Sequence, residues 1–88
     1  MLPTKTKDKI IQKYKLHQRD TGSAEVQTAL LTEEIKALVK HLKTHPKDNH
    51  SRRGLLKMVS KRKSLLTYLS RESARRYNKI VKTLGLKA

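Results

Sequence analysis

The 88-residue sequence predicts an all-α fold: a long antiparallel helical hairpin packed with a C-terminal helix and a short, mobile N-terminal helix. Two observations carry this. Four segments repeat apolar residues at helical spacing, and no stretch sustains the alternation with β-branched and aromatic enrichment that a strand needs.

The first segment runs from about Thr4 to Leu16. Thr4 or Thr6 is placed to cap it, Asp8 to sit in its first turn, and Ile10, Ile11 and Tyr14 form a short apolar stripe among lysines. It is too short to be stable alone, so it must dock, and it is the segment with least to bury. The linker HQRDTGS follows, in which Asp20 can fold onto the backbone ahead and Gly22 can adopt positive φ. Ser23 is the natural N-cap of the second segment, Ser23 to about Thr44. There Ala24, Thr28, Leu31, Ile35, Leu38 and Leu42 share one stripe, widened by Val26, Leu30 and Val39. Pro46 ends it by pushing His45 out of the α region, which makes HPKDNHS a turn. The third segment, about His50 to Ser70, repeats the pattern with Leu55, Val59, Leu66 and Leu69, joined by Met58 and Leu65. Each long segment spans roughly 30 Å, and a turn of a few residues between them makes a hairpin. The fourth begins at the N-cap Ser73, carries Tyr77, Ile80, Val81 and Leu84, and closes at Gly85, a left-handed C-cap that folds Leu86 back onto the apolar face.

The sequence holds 22 Lys+Arg against 7 Asp+Glu, a formal net charge of +15, which points to a polyanionic partner. The length allows one domain over 1–88, with no room for separate cofactor and substrate domains. Zero cysteines exclude a disulfide framework, a thiolate zinc site and a thiol nucleophile, and fit a reducing interior, cytosolic or organellar. No apolar run exceeds three residues, too few for a signal peptide or a membrane span, so a soluble chain with no membrane partner is expected. Three tyrosines are the only aromatics, which argues against stacking of single-stranded bases and for a folded or duplex nucleic acid.

The charge is unevenly placed: +4 over residues 1–22, 0 over 23–46 and +11 over 47–88. On the third helix Arg53, Lys57, Lys61 and Ser64 form a row beside the apolar one, flanked by Arg52, Arg62, Lys63 and Arg71. Clustered cations along a helix are the footprint of nucleic-acid binding; they supply affinity and salt dependence without naming the target.

Specificity needs other contacts, and unusual polar residues gather at the two turns. The first offers Asp20, Thr21, Gly22, Ser23 and Gln27, either as an approach surface for a phosphate or sugar or simply as turn and cap. The second offers His41, His45, Asp48, His50 and Ser51. His41 and His45 have a metal-ligand spacing, but Lys40, Lys43 and Lys47 would repel a divalent cation, so no metal site is expected. Asp48 at the tip of so basic a chain either accepts hydrogen bonds from base amino groups or serves the third helix, which Asp48 or Asn49 would cap. Its two oxygens could divide the roles. No carboxylate pair lies near a nucleophile and no glycine-rich phosphate loop is present, so neither an enzyme nor a cofactor is expected. Gly54 inside the third helix would permit close packing or close approach of RNA.

DTGSAEVQ (Asp20 to Gln27), HPKDNHSRRGLLKMVSKRKSLLTYL (His45 to Leu69) and the closing LGL (Leu84 to Leu86) together resemble the bacterial small-subunit ribosomal protein fifteen family over essentially the whole length. The resemblance implies a bundle of three helices with a more mobile first helix, and a primary binder of small-subunit ribosomal RNA in the central domain that acts early in platform assembly. Thr21, Gly22 and Gln27, with Tyr68 and Arg71, would meet a three-helix RNA junction. His41, Asp48 and Ser51 would meet a G·U/G·C element in the shallow minor groove, whose amino donors and 2′-hydroxyls suit those side chains. The resemblance further implies a contribution to an intersubunit bridge with large-subunit RNA, neighbouring platform proteins met through the RNA they share, a monomer when free, and a ribosome-bound location in the cytoplasm or an organelle. Pro46 stands where lysine is usual, Asn49 where histidine is frequent and Ala24 where threonine or proline is; no junction role passes to Ala24. The competing classes are a compacting DNA-binding protein, which fits the long central helices poorly, and a cationic membrane-surface protein, which would want bulky apolar anchors.

Overall fold

The computed structural model describes residues 2–16 and 22–86, and among them four helices and no strand: α1 (Thr4–Tyr14), α2 (Ala24–Thr44), α3 (Asn49–Glu72) and α4 (Ala74–Leu84). Local chemistry sets most of the boundaries. The Ser23 hydroxyl accepts from Val26 N and starts α2, and the Ser73 hydroxyl accepts from Arg76 N and starts α4. At the far end of α4, Gly85 takes φ 67°. Gly85 N then donates to Lys82 O and Leu86 N to Val81 O, which satisfies two orphan carbonyls and turns Leu86 onto the core.

The start of α1 departs from expectation. Neither Thr4 nor Thr6 caps it: the N-cap is Pro3, with extended ψ 149° and no side-chain hydrogen bond, and Lys7 N donates to Pro3 O. The ring presets φ at the entry, so both threonines fall inside the helix and Asp8 lies beyond its first turn. The helix ends at Tyr14, two residues before the expected Leu16.

α2 and α3 run antiparallel. Ala24 shares a cluster with Leu69, Arg62 reaches Thr32, and Asp48 meets His41, so paired positions step inward toward the turn. Twenty-one and 24 residues give helices of about 30 and 36 Å, matching a longest molecular extent of 40 Å. α1 packs on the α2 side and α4 on the α3 side. One core cluster lies at the end of the hairpin away from its turn. Ala24, Leu69, Ile80 and Val81 are buried there, with Tyr14, Leu65, Leu66, Tyr77, Leu84 and Leu86 packed around them. The buried Leu31, Ile35 and Leu38 continue the apolar core along α2. Val26 and Leu69 are fully buried, each contributing about 1.5–3 kcal/mol by removal from water.

α1 and α4 are only 11 residues each, so the turn-side half of α3 has α2 alone against it. That is why Val59, expected in the core stripe, stays 41% exposed, and Leu56 70% exposed. Val39, on the facing half of α2, is likewise at the surface. Gly54 is no packing glycine: a Cβ built there meets nothing within 4 Å. Among the described residues, no helix is long and apolar enough to cross a membrane.

Candidate nucleic-acid interface

The hairpin turn assembles one hydrogen-bonded cluster. Asp48 caps α3, its Oδ1 accepting from Ser51 N at 3.0 Å. Its Oδ2 accepts from Ser51 Oγ at 2.7 Å and from His41 Nε2 at 2.9 Å. These bonds favour the charged carboxylate, so Asp48 is held well below its usual pKa, first by the Ser51 backbone N–H, then by His41 and the Ser51 hydroxyl. An ionised carboxylate only accepts, so His41 Nε2 carries the proton of this bond. The Ser51 hydroxyl proton is likewise committed, leaving its lone pairs. The cluster is thus centred on a carboxylate and a hydroxyl oxygen that both keep acceptor capacity.

His45 stacks on His41 with ring centroids 4.5 Å apart and planes 14° from parallel. Its Nδ1 lies 2.9 Å from Thr44 Oγ1, whose own proton goes to His41 O. Arg52, one of the cations flanking the row, donates to Pro46 O and closes the turn. The carbonyl of Pro46 thus has a structural partner.

At the opposite end, Gln27 Nε2 donates to Gly22 O at 2.7 Å, fixing the start of α2 to the turn before it. One amide proton and the amide oxygen of Gln27 remain for a ligand. Thr21 and Asp20 lie outside the described residues. Antiparallel packing brings this turn to the same end as Tyr68, 55% exposed, and Arg71, also exposed, on the last two turns of α3. Ala24 is buried in the core.

Between the two ends, Arg53, Lys57, Lys61 and Ser64 are all exposed along α3. Lys57 and Lys61 line a shallow groove against α2 with Gln27 and Glu34, and Lys63, Ser64, Tyr68, Arg71 and Glu72 line the next groove toward the C-terminal end of α3. A strip of cations thus connects the two polar clusters. Arg62 is not part of it: half-buried, it donates to Thr32 Oγ1 across the hairpin at 3.3 Å.

Comparison with known proteins decides among basic helical bundles. A family model described as Ribosomal protein S15 matches residues 7–87. The small ribosomal subunit protein uS15 of Carboxydothermus hydrogenoformans is 59% identical over 86 residues, covering 98% of this chain and 97% of that one. That of Natranaerobius thermophilus is 58% identical with the same coverage, and that of Oceanobacillus iheyensis 59% identical over 81 residues, 92% of this chain and 91% of the other. The chain belongs to the ribosomal protein S15 family.

Within that S15 framework one strong interaction escaped the sequence reading. Glu25, buried at the start of α2, receives Arg76 Nε at 2.7 Å and Nη2 at 2.6 Å from the start of α4. The pair joins positions 51 residues apart. The available signal was an acidic residue inside an apolar stretch of α2, flanked by Ala24 and Val26.

Proposed function

We propose that the whole chain acts as one RNA-binding domain of the small ribosomal subunit, a structural component with no catalytic role. It is a primary binder of central-domain ribosomal RNA that bridges two RNA elements. The cluster of His41, Asp48 and Ser51, with His45 stacked behind it, reads a G·U/G·C element in the shallow minor groove. Gly22, Gln27, Tyr68 and Arg71, with Thr21, engage a three-helix junction. Arg53, Lys57 and Lys61 hold phosphates between them.

The observation that carries this reading is the chemistry of the turn: an ionised, hydrogen-bonded carboxylate with spare acceptor capacity at the tip of a +15 chain. Such a group is repelled by phosphates unless it meets donors, and the wide RNA minor groove offers guanine amino groups and 2′-hydroxyls. Two clusters about 30 Å apart on one hairpin would fix the relative placement of two RNA helices, so later platform proteins meet an organised junction. The same reading makes the chain a monomer when free, ribosome-bound in the cytoplasm or an organelle, and a contributor to a bridge with large-subunit RNA.

Chemical footprinting on small-subunit RNA tests it. Two separated protections, one at a junction and one at a G·U/G·C minor groove, are expected. A single protected site, or diffuse protection following charge alone, would overturn the two-site reading.

A further inference from the structure

Glu25 is the one charged side chain buried among the described residues, and a buried carboxylate persists only when paired and hydrogen-bonded. Its partner is not buried: 39% of the Arg76 side chain is exposed. The two bonds to Glu25 use two of the five guanidinium N–H groups and fix the plane of the fork, leaving the Nη1 donors outside the pair. The backbone of Arg76 is anchored too, by Ser73 Oγ. An arginine held on both counts is organised in advance for a second anionic partner. Its surroundings favour one: Lys13, Lys15, Arg75, Arg76 and Lys79 line a single cleft between α1 and α4, and among the described residues lining it Glu25 is the only carboxylate, already matched.

We infer that this cleft is a third RNA contact, a phosphate-binding site at the junction end of the hairpin, with Arg76 as its anchor and Glu25 as the residue that positions Arg76. It rests on the junction reading above and adds a contact outside both turns and outside the α3 row. Glu25 touches no RNA; it fixes where the guanidinium stands, as a carboxylate orients an arginine wherever the remaining edge of the fork grips phosphate.

The test is the salt dependence of binding to two RNAs, a three-helix junction fragment and a hairpin carrying only the G·U/G·C element. Arg76→Ala should weaken the junction complex and lower its slope of log K against log salt by about one. Arg76→Lys keeps the charge but not the fork, and should weaken the junction complex about tenfold, within the usual range for coupled contacts, at unchanged slope. Glu25→Gln should do the same. None of the three should alter affinity for the hairpin. Equal losses on both RNAs, or an unchanged junction slope for Arg76→Ala, would overturn the cleft as a binding site. Where Arg76→Ala fails to fold, Arg76→Lys and Glu25→Gln decide: unchanged junction affinity in both refutes the proposal. If the wild-type chain itself does not prefer the junction fragment, the junction reading has failed instead.

Discussion

Asp48 answers at the level of one residue a question its position in the sequence leaves open, because a capping carboxylate and a base-reading carboxylate ask for the same residue at the same place. Both oxygens are engaged within the chain, Oδ1 by the Ser51 backbone and Oδ2 by Ser51 Oγ and His41. Each oxygen has two lone pairs, so capping does not exhaust the group. Because its hydrogen bonds hold the folded pKa below the ordinary aspartate value, the cap stabilises the fold above that ordinary value and its contribution fades as pH falls toward the folded one. Thermal unfolding of wild type should therefore lose stability from about pH 5 to about pH 2 more steeply than that of Asp48→Ala. Parallel losses would show that the cap contributes nothing to the acid limb. On RNA, Asp48→Ala should cost on the order of tenfold at the G·U/G·C element and relax discrimination there. Lys57→Ala should weaken all RNAs alike and lower the salt slope by about one. A change in thermal stability alone for Asp48→Ala would leave it a cap and nothing more.

Among the elements, α3 is the one whose stripe promises more burial than it receives, since two of its expected neighbours are too short to reach its first half. Gly54 lies in that half, one helical turn after Ser51, in open space. A glycine in a helix interior costs about 0.5–1 kcal/mol relative to alanine. Gly54→Ala should thus raise the stability of the free protein by about that amount while lowering affinity for the minor-groove element, where RNA would approach the helix surface closely. Higher stability with unchanged RNA binding would remove Gly54 from the interface. The elements also show where the sequence is legible. Ser23, Ser73, Gly85 and Pro46 act through their own backbone or bonds to residues within a turn, so their roles can be read locally. The start of α1 cannot, because Thr4, Thr6 and Asp8 are all acceptable starts and Pro3 prevails by fixing φ. Val59 and the Glu25–Arg76 pair depend on how far neighbouring helices extend and which ends meet, which periodicity does not encode. The site follows the same division. The residue types at the two turns were legible, whereas the sharing of Asp48 by His41 and Ser51, and the diversion of Arg52 and Arg62 into structural bonds, required the packed hairpin.

Across the whole molecule, charge and choice occupy different places. The +11 carried by residues 47–88 runs along α3 and into α4, while the side chains proposed to tell one RNA from another stand at the two ends of a hairpin on the order of 30 Å long. Cations alone would bind any polyanion; rigid spacing of two polar clusters would not. The most direct test compares affinity for a small-subunit RNA junction fragment that includes the G·U/G·C element with affinity for a DNA duplex of equal charge, at physiological salt. Binding to the RNA at least about a thousandfold tighter is expected for specific recognition, and equal affinity for the two would contradict it.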